Sequence, residues 1–290
     1  MGLLDRLKSA LRLDRVDIRE RFELLREGIA GTMSKFYMAR DRKTGQIVGL
    51  KILDPKKTTL LEERFKGLNK PSEGEIAILF DHPYIVKTFE YGLTTDGYQY
   101  LVMEYLGGPG LNTVLATRAP LLEGKQLRFI RQAAEALDVV HKAGFIHRDI
   151  CPRNLILTED CQTVKLTDFG LSVPATPPFM QPGNRTGTPN YMAPELVRRF
   201  PTDQRIDVFS FGVTAYEICT YELPWPRGST GLAAMTHDQP PTDIRKYRPK
   251  INPRLAEAIH WCIQPDPRHR CPSMERFLQA IRRVEAVDQS

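Results

Sequence analysis

Cysteine is scarce in this sequence and is never paired at a metal-binding spacing. Five cysteines occur among 290 residues, an odd number without a Cys-x-x-Cys motif. This usage argues against a disulfide framework and against a structural zinc site. The histidines His141, His260 and His269 also lack the spacing of metal ligands. The expected compartment is therefore a reducing one, and we predict a cytoplasmic protein.

Long apolar runs and a strong excess of one charge are missing as well. No run approaches the roughly 18 apolar residues of a membrane helix, and the N-terminus lacks the long uncharged apolar stretch of a secretory signal. The 41 basic and 35 acidic residues leave a net charge of +6. Because the two signs are interspersed, we predict a mixed solvated surface, no transmembrane segment and no nucleic-acid partner.

Residues 1–18 have the pattern of a short basic amphipathic helix. Apolar side chains recur at helical spacing, and arginine and lysine residues lie between them. Two interpretations remain open: peripheral contact of this helix with a membrane or a partner, or packing of the helix against the domain that follows. The apolar positions are Leu3, Leu4, Leu7, Ala10 and Leu11.

A sheet-rich region follows, and a helical region comes after it. Alternating apolar and polar residues predict strands at 21–27, 35–40, 47–53, 84–93 and 98–104. Residues 60–80 have a helical pattern that Pro71 interrupts. The Gly-Gly-Pro-Gly run at 107–110 is typical of a linker. A long amphipathic helix is predicted at 121–143, with Gly144 ending it.

The most informative stretch is residues 147–154, His-Arg-Asp-Ile-Cys-Pro-Arg-Asn, together with the Asp-Phe-Gly that starts at Asp168. Apolar runs at 155–157 and 164–166, separated by a polar turn, predict a hairpin between these motifs. A hairpin of this length brings Asp149, Asn154 and Asp168 to one edge. Three oxygen donors suit a hard cation such as Mg²⁺, shared with substrate phosphates.

This stretch resembles the catalytic loop and metal-binding loop of protein kinases, H-R-D-L-x-x-x-N followed by D-F-G, with Ile150 in place of the leucine. The resemblance implies that Asp149 accepts the proton of the substrate hydroxyl and that Asn154 and Asp168 bind the magnesium ions. It implies an α+β fold with two lobes in a kinase domain at 19–286. The small antiparallel-sheet N-lobe, with one main helix, would cover about 19–105, and the larger, mostly helical C-lobe about 110–286.

The run Val48-Gly49-Leu50-Lys51 resembles the V-A-I-K motif of the same family. Lys51 would then contact the α- and β-phosphates of ATP, with Glu73 as its partner and Glu75 as the alternative. Serine/threonine kinases commonly carry a lysine where this chain has Cys151. Arg153 matches an arginine that faces the γ-phosphate in tyrosine kinases, and would supply the missing charge. Cys151 itself is either an inert filler or an oxidisable thiol.

The resemblance also implies a set of nucleotide-binding residues. In the glycine-rich loop pattern only the central glycine is kept, and Gly28 would compensate for the first departure by a local shift. The adenine ring would lie between Gly49 and Ile156, with Met103 behind it and the backbones of Glu104 and Leu106 at its edge. The loop positions are Gly28, Ile29, Gly31, Ser34 and Phe36.

Residues 168–195 resemble a kinase activation segment that ends in Ala-Pro-Glu. Thr188 is predicted to contact Asp149 in the peptide-docking loop. Thr176 and Thr186 are candidate phosphorylation sites that would pair with Arg148, or else ordinary loop threonines. Two structural roles are also implied: Asp207 binds the backbone of the catalytic loop, and Arg270 pairs with Glu195.

We therefore predict an ATP- and Mg²⁺-dependent kinase that phosphorylates serine or threonine in protein substrates and also itself. One alternative is a pseudokinase that binds nucleotide or a partner without turnover. Ile29, Ser34 and Cys151 favour it, whereas the intact catalytic and metal-binding positions oppose it. Another alternative is a small-molecule kinase of the same fold, but such enzymes generally lack the Ala-Pro-Glu segment and the peptide-docking loop.

Overall fold

Alternation of apolar and polar side chains produces one five-stranded antiparallel sheet in the first part of the chain. The computed structural model describes residues 15–27, 34–183, 186–227 and 233–289. It divides into two units. Unit 1 comprises Met1–Lys66, Gly74–Phe80 and Lys87–Tyr105, and unit 2 comprises Gly67–Glu73, Asp81–Val86 and Leu106–Ser290.

The sheet of unit 1 has the strand order β1-β2-β3-β5-β4, and every neighbouring pair is antiparallel. Three short helices accompany it: α1 (Ile18–Arg21), α2 (Pro55–Glu62) and α3 (Glu73–Ala77), the last of which begins just before the unit boundary. The strands are β1 (Phe22–Glu27), β2 (Ser34–Asp41), β3 (Ile47–Leu53), β4 (Thr88–Leu93) and β5 (Gln99–Glu104).

The two faces of this sheet carry different side chains, because successive residues of a strand point to opposite sides. One face is a buried core of Phe22, Ala39, Val48, Leu50, Tyr100 and Val102. The other face carries Phe36, Gly49, Lys51 and Met103, which the register places on neighbouring strands: Phe36 lies opposite Lys51, and Gly49 opposite Met103. The alternation seen in the sequence therefore separates a packing face from the face that carries the predicted nucleotide-binding residues.

The helix predicted at 1–18 lies mostly outside the described residues. Where the chain is described, from residue 15, it is extended: Val16 forms a parallel bridge with Thr94, and its N–H donates to the Leu93 carbonyl at 2.9 Å. Asp17 then caps helix α1 by accepting hydrogen bonds from the N–H groups of Arg19 and Glu20. The end of the predicted helix is thus wrong, because these backbone groups bond to the β4 end of the sheet instead.

Unit 2 is mostly helical and has two small sheets, β6-β8-β9 and β7-β10. Within the part of the chain that the structure describes, no helix is long and apolar enough to cross a membrane. The strands of unit 2 are β6 (Gly107–Gly110), β7 (Phe145–Ile146), β8 (Leu155–Thr158), β9 (Val164–Leu166) and β10 (Val173–Pro174). Its helices are α4 (Leu111–Ala116), α5 (Gln126–Lys142), α6 (Pro194–Val197), α7 (Arg205–Thr220), α8 (Pro253–Cys262) and α9 (Met274–Ala280).

In two elements of unit 2, a glycine permits close contact with a segment that is distant in sequence. The run at 107–110 is not a linker but strand β6, which pairs with β8. A Cβ atom at Gly108 would lie 2.4 Å from the carbonyl oxygen of Leu157, so only glycine permits this close approach of the two strands. Helix α7 is buried nearly throughout, and Gly212 brings it against Cys262 of α8, where a Cβ atom would lie 2.6 Å from the cysteine Cβ.

Candidate active site

An aspartate on the buried helix α7 holds the catalytic-loop stretch through hydrogen bonds to its backbone. Asp207 is fully buried, and its two carboxylate oxygens accept the N–H groups of His147 at 2.7 Å and Arg148 at 2.8 Å. His141 also lies against this carboxylate, with its Nε2 at 3.0 Å. The predicted role of Asp207 is confirmed. Because Arg148 has a positive φ of 71°, these bonds hold a loop conformation that a non-glycine residue rarely adopts.

Asp149 is the point at which several side chains of unit 2 converge. It is 7% exposed, and one carboxylate oxygen accepts the Thr188 hydroxyl at 2.6 Å. The other oxygen accepts the Asn154 amide at 3.0 Å and the Arg153 guanidinium at 3.2 Å. The amide of Asn154 also donates to the Asp149 carbonyl at 2.7 Å. The predicted contact between Thr188 and Asp149 is confirmed, and both carboxylate oxygens have a fixed direction.

The hairpin predicted between the two motifs is confirmed. Strands β8 and β9 are antiparallel, with Leu155 opposite Leu166, and the Thr167 N–H donates to the Asn154 carbonyl at 3.0 Å. The hairpin thus joins the end of the catalytic loop to the residue before Asp168. The ring of His147 strengthens the connection, since its Nε2 lies 3.2 Å from the Thr167 carbonyl and its ring packs edge-on against Phe169 at 5.2 Å.

Asp168 has a left-handed backbone, with φ at 67°. Its Oδ1 lies 3.4 Å from the Gly170 N–H. Glu73 is buried close by: a Cβ atom on Gly170 would lie 3.3 Å from a carboxylate oxygen of Glu73 and 3.3 Å from Oδ1 of Asp168. Glycine at position 170 therefore leaves room for two carboxylates beside the same stretch of backbone.

Cys151 takes the place of a positive charge in this loop but is itself uncharged. It is 1% exposed, and burial, together with the nearby Asp149 carboxylate, raises the pKa of its thiol to about 12. The Thr188 hydroxyl lies 3.6 Å from its Sγ. A buried neutral thiol is a poor nucleophile and is slowly oxidised. Of the two interpretations of Cys151, this environment favours the inert filler.

The predicted nucleotide-binding residues are divided between the two units. In unit 1, Lys51 and Met103 are buried on the sheet face described above, and the Phe36 ring fills the space beside Gly49. Glu104 ends β5, and Ser34 begins β2. In unit 2, Leu106 precedes β6, and Ile156 lies in β8 opposite Gly110 and Lys165. Gly28, Ile29 and Gly31 lie outside the described residues.

Comparison with known proteins identifies this arrangement. Residues 27–280 match the family described as the protein kinase domain. The chain belongs to the protein kinase family. Its fold is accordingly the predicted α+β kinase fold, and membership implies the use of ATP and a divalent metal ion.

Named relatives of this kinase occur in several organisms. It is 31% identical over 88% of its length to the serine/threonine-protein kinase pkn3 of Myxococcus xanthus. It is also 31% identical, over 93% of its length, to the serine/threonine-protein kinase PknA of Mycobacterium tuberculosis. The aligned region is 48% of the first protein and 63% of the second. The chain thus spans about half to two thirds of these relatives.

The activation segment of the kinase, residues 168–195, is fastened at its C-terminal end. Glu195, the last residue of Ala-Pro-Glu, forms a two-pronged ion pair with Arg270 at 2.6 and 3.0 Å, as predicted. Both partners are buried, and the Arg270 guanidinium lies 5.0 Å from the centre of the Phe209 ring. Because two parallel hydrogen bonds fix both groups, this end of the segment has one orientation.

The two candidate phosphorylation sites differ in accessibility. Thr176 is exposed and precedes a single 3₁₀ turn at Pro177–Phe179. Thr186 is 9% exposed, so a modifying active site would reach it only after the segment moves. Arg148, the predicted partner of a phosphate, is buried, and burial lowers the pKa of its guanidinium to about 10. Phosphorylation at either threonine stays a prediction.

One network beside the site carries no recognisable signal in the sequence. Tyr191 donates its hydroxyl to Glu217 at 2.5 Å, and Arg227 donates to the other oxygen of Glu217 at 2.7 Å. Glu217 lies on α7 and the other two residues lie in connecting segments, so no spacing rule would join them. Only the packing of the chain shows that they belong together.

Proposed function

We propose that this chain is an ATP-dependent serine/threonine protein kinase that transfers the γ-phosphoryl group to hydroxyls of protein substrates and of itself. The observation that carries the proposal is the environment of Asp149. A threonine hydroxyl already donates to its carboxylate at 2.6 Å, which is the distance a catalytic base needs from the hydroxyl that it deprotonates. The names of the relatives support the choice of serine and threonine.

In this proposal Asp149 orients the acceptor hydroxyl and accepts its proton. The Asn154 amide and the Arg153 guanidinium hold one carboxylate oxygen, while the other oxygen faces the docking loop at Thr188. The carboxylate is therefore aimed before any substrate arrives. Phosphoryl transfer depends mainly on such positioning and on charge neutralisation, because little covalent chemistry falls to the protein.

The residues present fit magnesium bound together with nucleotide phosphates. Asp168 offers a carboxylate and Asn154 an amide oxygen, both of them hard donors. Among the described residues no group of three or more His, Cys, Asp or Glu could hold a metal ion alone. Magnesium typically binds one or two carboxylates and takes the rest of its ligands from phosphates and water. When bound, the ions would neutralise the charge that develops on the transferred phosphoryl group.

The nucleotide roles follow from the family motifs. Lys51 would contact the α- and β-phosphates with Glu73 as its partner, and the loop residues Gly28, Ile29, Gly31 and Ser34 would cover the phosphates. Arg153 would add the positive charge that Cys151 lacks, next to the γ-phosphate. Adenine would contact Phe36, Gly49, Met103 and Ile156, and hydrogen-bond the backbones of Glu104 and Leu106.

The proposed cellular setting follows from the amino-acid composition and the N-terminal sequence. We place the kinase in the cytoplasm because its odd number of cysteines lacks any disulfide or zinc pattern. The N-terminal segment would contact a membrane surface or a partner through its apolar side chains, and nucleic acid is not expected to bind. Salt-dependent sedimentation of the full chain with anionic vesicles would test the membrane contact.

The experiment that tests the function measures transfer from labelled ATP and magnesium to the protein itself and to a generic basic protein. We expect wild type to label serine or threonine, located by mass spectrometry. Asp149→Asn should lower transfer by about a hundredfold or more, since it removes the base and keeps the shape. Asp160→Asn is the matched control, because Asp160 lies in the exposed turn between β8 and β9.

Three results would contradict the proposal. Full transfer by a folded Asp149→Asn variant would remove Asp149 from the mechanism. Phosphotyrosine as the product would show the other acceptor specificity. Absence of transfer with ATP still bound would identify a pseudokinase.

A further inference from the structure

The network of Tyr191, Glu217 and Arg227 places an exposed arginine beside the peptide-docking loop, residues 187–191. Glu217 is 4% exposed, and its carboxylate lies between the Tyr191 hydroxyl at 2.5 Å and Arg227 Nη2 at 2.7 Å. The Arg227 side chain is 61% exposed. An approaching peptide therefore meets the guanidinium and not the carboxylate that holds it.

This arginine is connected to the peptide-docking loop by hydrogen bonds. The Tyr191 N–H donates to the Thr188 carbonyl at 3.0 Å, and the Thr188 hydroxyl donates to Asp149 at 2.6 Å. The Tyr191 carbonyl accepts the Ser210 hydroxyl at 2.7 Å, which fixes the loop to α7. Hydrogen bonds thus connect Arg227, through Glu217 and Tyr191, to Thr188, the residue that contacts Asp149.

The same arrangement occurs at Asp149. This carboxylate is 7% exposed and is covered by Arg153, whose side chain is 54% exposed. At both positions a buried carboxylate forms an ion pair with an arginine of the same chain, and the guanidinium is the group exposed to solvent. A basic substrate residue would be repelled by the exposed Arg227 guanidinium before it reached Glu217, which is only 4% exposed and already accepts hydrogen bonds from Arg227 and Tyr191.

We propose that Arg227 selects acceptor sequences that carry an anionic side chain close to the serine or threonine. This rests on the proposed kinase function and names its substrate class. The shared chemistry is that of a carboxylate or a phosphoryl group, both of which a guanidinium binds through parallel N–H donors. Glu217 holds one edge of the Arg227 fork, so the group is already positioned when the anion arrives.

The test is transfer of labelled phosphate to a library of serine and threonine peptides that vary one flanking position at a time. One arm carries aspartate or glutamate, a second phosphoserine, a third arginine or lysine, and a fourth only alanine. Wild type should favour the anionic arms over the alanine arm about two- to fivefold at one fixed position, as expected for one partly exposed ion pair. The relative rates of the first two arms distinguish carboxylate from phosphate.

Arg227→Ala should lose this preference and keep the rate on the alanine peptides, whereas Arg227→Lys should keep part of it. Arg118→Ala is the matched control, because Arg118 binds Glu222 at the same distance of 2.7 Å, but both members of this ion pair are exposed. It should behave as wild type. Fluorescence anisotropy of labelled acidic and alanine peptides on the same variants provides a binding readout that needs no turnover.

The outcomes separate this inference from the function on which it rests. If wild type transfers no phosphate to any peptide or to itself, the proposed function fails, and anisotropy still decides whether Arg227 binds anionic peptides. If wild type transfers phosphate but prefers basic flanks, or if Arg227→Ala keeps the acidic preference, Arg227 does not select the substrate. Loss of the preference in Arg118→Ala as well would also overturn the inference.

Discussion

At the scale of single residues, Asp149 and Cys151 lie in one short loop but have different surroundings. Asp149 accepts hydrogen bonds from Arg153, Asn154 and Thr188. Cys151, two positions along, has no comparable set and is sealed from water. The Cys151 thiol is therefore neutral. Arg153 is the cation that lies beside Asp149 in this loop.

This contrast predicts low thiol reactivity at Cys151. Because its pKa of about 12 lies above the ordinary 9.0, less than about one thiol in a thousand is ionised at pH 8. Iodoacetamide at this pH should leave Cys151 unmodified in folded protein while it labels the partly exposed Cys161. Peptide mass spectrometry after a short reaction measures both sites, and a urea-unfolded sample, in which both should react, is the control.

The same pKa sets the direction of a pH effect on stability. The folded state binds the Cys151 proton more tightly than the unfolded state does. The protonated thiol therefore contributes fully to the free energy of unfolding below about pH 9. This contribution is lost as the pH rises from 9 toward 12.

The labelling experiment could also contradict the buried, neutral thiol. Comparable labelling of Cys151 and Cys161 in folded protein at pH 8 would show that the site is open and that the Cys151 thiol is ionisable.

At the scale of elements, the sheet of unit 1 shows how one glycine shapes a functional face. Gly49 in β3 lies between Phe36 of β2 and Met103 of β5. A Cβ atom at Gly49 would lie 2.7 Å from the Phe36 ring and 3.1 Å from the Met103 side chain. The methyl group that the family motif carries here is missing, and an aromatic ring occupies its space. The Phe36 ring thus compensates for the methyl group that Gly49 lacks.

This pairing predicts a non-additive pair of substitutions. Gly49→Ala alone should destabilise the protein by about 1–3 kcal/mol, because the ring must leave a favourable rotamer. Adding Phe36→Val provides room for the methyl group and should recover most of that loss. Urea unfolding measures the stability of the single and double variants, and titration with ADP measures their affinity for nucleotide. Additive effects of the two substitutions would show that the ring and the methyl group do not compete.

At the scale of the whole molecule, residues far apart in sequence hold the activation segment in unit 2. Arg270 and Glu195 are 75 positions apart, and both are buried. Arg270 also donates to the carbonyls of Gln264, Pro265 and Arg205, so it joins the segment before α9 to both α6 and α7. The ion pair thus fixes the end of a segment whose other end carries Asp168.

Removing one partner of this pair should be costly. Arg270→Ala leaves a buried carboxylate and several carbonyls without donors, and we expect a loss of about 3–5 kcal/mol in the free energy of unfolding. Arg268→Ala, two positions away at an exposed ion pair with Asp266, should leave it nearly unchanged. Thermal and urea unfolding measure both variants. Equal stability of the two would mean that the pair at 195 and 270 contributes nothing.

Much of this kinase could be predicted from local sequence. Strands β2 and β3 and the hairpin of β8 and β9 follow from alternation. The contacts of Asp207, Thr188 and Arg270 join distant segments, and they follow from the resemblance of their motifs to the kinase family. Strand β6 could not be predicted from local sequence, because the pairing of a glycine-rich run depends on a partner some 50 residues away. The predicted helix near the N-terminus ended wrongly for the same reason, since Val16 pairs with Thr94.

The sequence by itself determined the family, the order of the elements and the residues proposed for chemistry, because these depend on neighbours along the chain. Only the tertiary structure decided which carboxylates are covered and by what. That Arg227 shields Glu217, and that Phe36 fills the space beside Gly49, are consequences of side chains from different segments competing for one volume. Such contacts depend on distance in space and leave no pattern along the chain.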